Sequence, residues 1–299
     1  MQTTATIWQN GKFIPWEDAK VHVLSHALHY GGGAFEGIRF YKTEQGPAVF
    51  CLSEHLDRFF YSTRMLKMAM PYTKAELTQT IMELVKRSQL EAGYIRPIAF
   101  YGYGKLGVNP RGNPVDLAIA CFGWGAYLPH EQIAVKTSRY IRVHPDSTIV
   151  DAKLCGHYLN GILASLEIQG THYHEALFLD SRGYISEGVG ENFFMVKEDA
   201  IYTPKLGTIL AGITRKTIIT LAMSLGHRVV ETDLTVEDAY QAKEAFFTGT
   251  AAEVSPIHSI DDHVLGEGKV GDITAAIKQA YLDVVHGRNA TFADCLTVL

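Results

Sequence analysis

The chain has 299 residues, 47% of them hydrophobic, and 27 Lys+Arg against 32 Asp+Glu give a formal net charge of -5. That length suits one large domain or two of ordinary size, and the mild acidity argues against nucleic acid, whose partners carry a basic face or stripe. The N-terminus has no basic region followed by an apolar run, and no stretch approaches the roughly 20 apolar residues of a membrane span. The four cysteines (Cys51, Cys121, Cys155, Cys295) form no Cys-x-x-Cys pair, so a soluble cytoplasmic protein with reduced thiols is expected.

Short apolar runs open the chain, Ile7-Trp8 and Phe13-Ile14 on either side of the turn residues Asn10-Gly11. Two helices follow. Ser53 is a natural cap for the first, in which Leu56, Phe59, Phe60, Thr63 and Met70 keep helical spacing. Thr73-Lys74-Ala75-Glu76 is a capping box for the second, whose apolar face is Leu77, Ile81, Leu84 and Val85. Strands are predicted over residues 94–101 and 115–124, the latter so continuously apolar that burial on both faces is expected. Residues 123–130 break the pattern and form the candidate linker. We therefore expect a domain over 1–124, a connecting loop over 125–132 and a second domain over 133–299. In the second part, residues 176–179 and 184–186 flank Asp180-Ser181-Arg182-Gly183, a hairpin signal. An amphipathic helix spans about 214–225 and stops at Gly226, and a last helix covers about 273–285. The tail after Gly287 is short, and poor order is expected there.

One motif misleads. Gly102-Tyr103-Gly104-Lys105-Leu106-Gly107 matches Gly-x-Gly-x-x-Gly after a strand, but a dinucleotide site needs a helix to start inside it. The continuation Val108-Asn109-Pro110-Arg111-Gly112-Asn113-Pro114 forbids one. A zinc site at His26 and His29, or at His172 and His174, has no third ligand at a recognisable spacing. No metal is expected.

The chemistry is concentrated in Asp151-Ala152-Lys153-Leu154-Cys155-Gly156-His157-Tyr158, Glu187-Gly188-Val189-Gly190-Glu191-Asn192, Ala211-Gly212-Ile213-Thr214 and Thr248-Gly249-Thr250-Ala251-Ala252. Singly, each has a plain explanation: a solvated lysine, a charged turn, an ordinary helix start. In this order they resemble the class IV aminotransferases, the fold-type IV pyridoxal-phosphate enzymes. Tyr30-Gly31, Phe35-Glu36-Gly37-Ile38-Arg39, Tyr94-Ile95-Arg96-Pro97 and Trp124-Gly125-Ala126-Tyr127 are similar to the branched-chain aminotransferase subgroup.

The resemblance implies a mixed α/β fold, with a small N-terminal α/β domain and a larger barrel-like domain with flanking helices. It implies transamination of L-leucine, L-isoleucine and L-valine with 2-oxoglutarate on pyridoxal 5'-phosphate. By the same resemblance Lys153 is the Schiff-base lysine and proton carrier, and Glu191 binds the pyridine nitrogen. Tyr158 bonds the ring 3-oxygen, while Arg58, Ile213, Thr214 and Thr250 take the phosphate. These roles suit the residue types: a lysine nucleophile must be partly neutral, and a helix N-terminus favours an anion. Phe35, Gly37, Tyr30, Trp124, Tyr127 and Val108 belong to the substrate pocket. Arg96 receives the distal carboxylate of glutamate, and Tyr94 with Thr250-Ala251-Ala252 holds the α-carboxylate. Tyr30 and Val108 come from a neighbouring subunit in this family, so a homodimer is implied, open to assembly as a hexamer of three dimers.

His157 stands where relatives commonly have Asn, and Gly32-Gly33-Ala34 replaces a bulkier segment, so a roomier pocket is expected beside Phe35. D-amino-acid aminotransferases and aminodeoxychorismate lyases share the fold and are the nearest rivals.

Overall fold

A turn of two left-handed residues, Asn10 at φ 46° and Gly11 at φ 88°, folds the first strands back on each other, the geometry that matches the right-handed twist of a hairpin. The computed structural model describes residues 1–125, 127–128, 130–198 and 200–299. It divides into two compact units, Met1–Gly125 with Ala152–Gly156 and Val284–Leu299, and Ala126–Asp151 with His157–Asp283. Ala126 and Pro129, in the segment expected as the connecting loop, lie outside the described residues.

The first unit contains β1 (Thr6–Gln9), β2 (Lys12–Pro15), α1 (His26–Tyr30), β3 (Gly33–Phe35), β4 (Ile38–Thr43), β5 (Gly46–Phe50), α2 (Leu52–Met65), α3 (Lys74–Ser88), β6 (Gly93–Tyr101) and β7 (Val115–Phe122). The strands order as β5-β4-β6-β7-β1-β2, with β3 also against β6. Helices α2 and α3 pack Leu56, Phe59, Leu77, Ile81 and Leu84 onto Ile38, Phe40, Ile95, Leu117 and Ile119 of the sheet. The Thr73–Glu76 capping box forms as expected.

Two local expectations fail. Ser53 does not cap α2 but lies in its first turn, where its hydroxyl accepts a hydrogen bond from Lys74 at 2.8 Å. The cap position is Cys51, left-handed at φ 49°, whose N–H donates to Cys295 O at 2.6 Å. In β7 only alternate residues are fully buried, Leu117, Ile119 and Cys121, and the strand ends at Phe122. Its other face carries the half-buried Ala118 and Ala120, which made the run read as apolar throughout.

The second unit contains β8 (Ile133–Ile141), α4 (Tyr158–Glu167), β9 (Glu175–Leu179), β10 (Ile185–Gly188), β11 (Asn192–Lys197), β12 (Ala200–Pro204), α5 (Ile213–Ser224), β13 (Arg228–Thr232), α6 (Val236–Tyr240), β14 (Glu244–Gly249), β15 (Glu253–Ile260) and β16 (His263–Val264). Helix α7 spans Asp272–Val285. The strands run β10-β9-β8-β15-β14-β11, and β10 also pairs with β11, which closes them into a barrel. Closure leaves no open edge on those strands. Side chains of Ile133, Val135, Leu177, Phe193, Phe247 and Ile257 form one buried cluster. The expected hairpin is present: Leu179 faces Ile185, and Asp180 accepts the Arg182 N–H across the turn. Helix α5 ends as predicted, with Gly226 at φ 88°.

The tail is ordered, against expectation. After short helical turns over Ala290–Cys295, β17 (Leu296–Val298) pairs antiparallel with β5, Leu296 opposite Phe50. No helix among the described residues is long and apolar enough to cross a membrane.

Removing residues 288–299 would strip β17 from β5 and take away the Cys295 acceptor of Cys51. We expect a lower melting midpoint and concentration-dependent light scattering on heating, because a bare apolar edge recruits other strands; equal melting and scattering for the truncated and full chains would refute this.

Candidate active site

Lys153 is fixed through its backbone before its side chain is considered. Its N–H donates to Ser62 Oγ at 2.9 Å, and its carbonyl accepts the Phe35 N–H at 3.2 Å. Leu154 makes a bridge with Ala34, and Ala152 and Leu154 are buried on either side. The half-buried amine lies 5.0 Å from the Phe35 ring centroid. The Arg96 guanidinium stands over the same ring at 4.9 Å and over Tyr94 at 5.2 Å, and it donates to the Tyr94 hydroxyl at 3.3 Å. Trp124 meets Tyr94 edge-on at 4.6 Å. The first unit therefore brings Lys153, Phe35, Gly37, Tyr94, Arg96 and Trp124 together. Gly37 is obligatory here, since a Cβ would lie 1.8 Å from the Tyr94 hydroxyl.

Behind this group lies a cluster that motif reading missed. Glu36 is fully buried, and its carboxylate accepts from Arg58 Nε at 2.6 Å and Arg58 Nη2 at 3.0 Å. It also accepts from the His55 ring Nδ1 at 2.7 Å. Burial alone would raise the Glu36 carboxyl, but Arg58 and His55 overcome that and hold it well below the usual carboxylate range. Burial also pushes the His55 pKa down, with Arg58 and Lys153 adding to the effect against the opposing pull of Glu36. Facing a carboxylate, the His55 Nδ1 is the donor of that bond. Arg39, in the same Glu-Gly-Ile-Arg run, donates to Gly125 O at 3.1 Å and steadies the chain next to Trp124. A periodic pattern cannot flag such partners; only the oddity of an acid between apolar residues could have.

The glycines beside Phe35 do not open space. A Cβ on Gly33 would meet the Cys155 sulfur at 2.9 Å, and one on Gly32 would meet Tyr101 at 3.3 Å and His26 at 3.5 Å. The expected roomier pocket is corrected accordingly: the missing side chains are replaced by packed neighbours. Burial pushes the Cys155 thiol up to about 11, so it is an uncharged packing group.

In the second unit, Glu191 sits buried at the start of β11, where its carboxylate accepts the Gly190 N–H at 3.0 Å. Asn192 donates to Glu187 at 2.9 Å and to Leu210 O at 3.0 Å. Glu187 also accepts the Leu210 N–H and forms a buried ion pair with Arg142, which in turn donates to Val150 O and Thr208 O. This network fixes the loop leading into α5. The cap position there is Gly212, with no side-chain cap, so no side chain covers the first N–H groups at Ile213 and Thr214. Tyr158 begins α4 and is half-buried, and Thr250, Ala251 and Ala252 form the turn between β14 and β15. His157, in the place of a common Asn, meets Thr148 Oγ1 at 2.5 Å. Tyr127 is half-buried. Tyr30 and Val108 are exposed, Tyr30 at the end of α1 and Val108 in the loop after β6.

The donor set fits pyridoxal 5'-phosphate. The first unit offers a lysine amine held at its backbone and an arginine, and the second a buried acid and a helix start without a side-chain cap, each a group of the kind that cofactor requires. Glycine is needed beside the acid and at the helix start because neighbours fill the space: a Cβ on Gly188 would lie 2.7 Å from the Glu191 carboxylate, and one on Gly212 would collide with Asn192. No group of three or more His, Cys, Asp or Glu among the described residues is placed to hold a metal ion.

A fold-type IV architecture with these groups defines a pyridoxal-phosphate transferase of amino groups. The amino-transferase class IV family model matches residues 33–260, and the chain belongs to that family, in its branched-chain subgroup. It is 43% identical over 297 residues to a branched-chain-amino-acid aminotransferase of Pseudomonas aeruginosa, covering 98% of this chain and 97% of the relative. It is 42% identical to the Escherichia coli protein of the same description, covering 94% and 93%. Among solved structures, the T.th. branched-chain amino acid aminotransferase complexed with N-(5'-phosphopyridoxyl)-L-glutamate superposes with a TM-score of 0.96 at 42% identity, covering 100% of this chain and 99% of that one.

Two outcomes follow from this geometry. Below about pH 6.5 the unfolded chain binds a proton on His55 that the folded protein refuses, so stability falls as pH drops. Glu36, depressed in the fold, adds a further loss through the ordinary carboxylate range near about pH 4 and below. The decrease in melting midpoint from neutral to mildly acid buffer should therefore shrink in His55→Asn, and an unchanged decrease would remove His55 from the account. Gly37→Ala should displace Tyr94 and raise KM for amino acids, and an unchanged KM would show that the close approach of Gly37 to Tyr94 does not matter to binding.

Proposed function

We propose that the chain transfers amino groups from L-leucine, L-isoleucine and L-valine to 2-oxoglutarate, with Lys153 as the catalytic residue. Transamination by this family on pyridoxal phosphate is supported by relatives matched along nearly the whole chain. The observation that supports the residue roles is the Phe35 ring, whose centroid lies 5.0 Å from the Lys153 amine and 4.9 Å from the Arg96 guanidinium. An apolar wall within reach of one arginine suits a pocket that takes an aliphatic side chain in one half-reaction and a distal carboxylate in the other.

When bound, pyridoxal phosphate supplies an aldehyde and an electron-withdrawing ring that make the Cα–H bond of an amino acid acidic. With that group bound, the Lys153 Nζ would carry the proton from Cα, Glu191 would bind the ring nitrogen and Tyr158 the ring oxygen, and Arg58, the N–H groups of Ile213 and Thr214, and the Thr250 hydroxyl would hold the phosphate. Tyr94 and the turn at Thr250, Ala251 and Ala252 hold the α-carboxylate, and Trp124, Tyr127 and Gly37 complete the pocket with Phe35. The division into a domain over 1–124, a loop over 125–132 and a domain over 133–299 accompanies this assignment.

The same proposal includes a cytoplasmic homodimer, open to assembly into a hexamer. Tyr30 and Val108 would then serve the neighbouring copy's pocket. The exposure of Leu28, Tyr30, Tyr103, Leu106 and Val108 supports it, on two segments that meet where Ser25 bridges Tyr103 and His26 reaches Gly107 O, because gathered apolar side chains mark interaction sites.

Single-turnover assays with L-leucine, D-alanine and L-glutamate test the function. L-leucine and L-glutamate should react and D-alanine should not. Lys153→Ala should lose at least about 100-fold in rate. Arg96→Met should lower the glutamate half-reaction by about 10- to 100-fold more than the leucine one, the value of a hydrogen bond to a charged group. Equal losses for both amino acids would remove Arg96 as the receiver of the distal carboxylate, and full turnover in Lys153→Ala would end the whole assignment.

A further inference from the structure

Glu36 is the one residue of the Phe35-Glu36-Gly37 run with no part in the proposed chemistry, yet it is the most completely buried acid near Lys153. Its backbone belongs to the pocket wall: its N–H donates to Pro97 O at 2.9 Å, and the Phe35 N–H before it donates to Lys153 O. Its side chain points away from that wall to α2. There Oε1 takes the Arg58 Nε–H at 2.6 Å, while Oε2 takes Nη2–H at 3.0 Å and the His55 ring at 2.7 Å. The Gly37 N–H also reaches Oε2, at 3.2 Å. A guanidinium is planar and carries five donors in a fixed fork. Two of them, along the edge shared by Nε and Nη2, are taken by Glu36, and that fixes the plane and rotation of the head. The orientation of Nη1 and of the far side of Nη2 follows from that, because the head is rigid and planar.

We propose that Glu36 is a positioning residue for Arg58, with His55 holding Glu36 from behind, so that the arginine presents its outer edge to the cofactor phosphate. This rests on the assignment of Arg58 to the phosphate. A purely structural ion pair would hold α2 to the sheet without regard to the phosphate. The two roles differ in what they do to a cofactor that lacks that group.

The test measures equilibrium binding of pyridoxal 5'-phosphate and of pyridoxal to the apo forms of the full chain, and takes the ratio of the two dissociation constants. In Glu36→Gln the phosphorylated compound should weaken by about 10-fold or more, as for other supporting partners of a ligand-binding group, while pyridoxal stays the same. Arg58→Met should shift the ratio at least as far. In Glu36→Gln/Arg58→Met, which removes both charges and so spares the fold an unpaired one, the ratio should match Arg58→Met alone, since Glu36 acts only through the arginine. If Glu36→Gln does not fold, His55→Leu gives the same comparison, with a smaller shift in the same direction. The inference is overturned if Arg58→Met shifts the ratio and Glu36→Gln or His55→Leu leaves it unchanged or weakens both compounds equally. It is overturned also if the double variant loses more than Arg58→Met. An unchanged ratio in Arg58→Met removes the phosphate assignment itself, and the inference with it.

Discussion

The peptide unit of Lys153 is hydrogen-bonded on both sides, its N–H to Ser62 of α2 and its carbonyl to Phe35 of β3. A lysine side chain has four rotatable bonds and loses up to about 2 kcal/mol of conformational entropy when fixed, so an amine that must return to one place needs a root that does not move. Here the same two elements that hold the root carry the working groups around it. Helix α2 bears Arg58 one turn before Ser62, and β3 ends at Phe35. The segment Ala152–Gly156 groups with the first unit although the chain on both sides of it belongs to the second, and these hydrogen bonds are what capture it.

Both units face the same electrostatic problem, and they solve it alike. A charged group taken out of water is costly unless its partners satisfy it nearly completely. Glu36 is satisfied by Arg58, His55 and the Gly37 N–H. Glu187 is satisfied by Arg142, Asn192 and the Leu210 N–H. In each case the buried carboxylate orders a neighbouring element, the Arg58 head in one and the loop leading into α5 in the other. Neither acid needs to touch a ligand to matter, because its charge is spent on geometry. Removing one partner of such a pair leaves a bare buried charge, a penalty of about 3 to 5 kcal/mol, which is why the acids cannot be read as interchangeable surface residues.

What the sequence disclosed follows from how local each signal is. The capping box at Thr73, the hairpin at Asp180 and the stop at Gly226 depend on contacts within a few residues, and all were legible. Family motifs carried Lys153 and Glu191, because their chemistry requires particular residue types in a fixed order. Glu36 was visible only as a letter in a motif, since its partners lie 19 and 22 residues away and Ser62 lies 91 residues from Lys153. The tail was misjudged for the same reason: Leu296–Val298 gains its order from β5, far earlier in the chain. Ser53 was taken as a cap from its type alone, whereas the turn at Cys51 is set by Cys295.

Gly32 and Gly33 show why residue type alone misleads even beside an active site. From the sequence, two glycines where bulkier residues are common suggest empty volume. The space that a side chain at Gly33 would take is instead filled by the Cys155 thiol, and at Gly32 Tyr101 and His26 stand in the way. Protein interiors are packed to crystal-like density, so volume removed at one position is returned by another, and here the compensating atom is two residues from Lys153. The pair Gly33 and Cys155 therefore packs β3 against the segment that carries Lys153. A larger residue at 33 would act first on the placement of the lysine, because its Cβ would press on the Cys155 sulfur before any other atom.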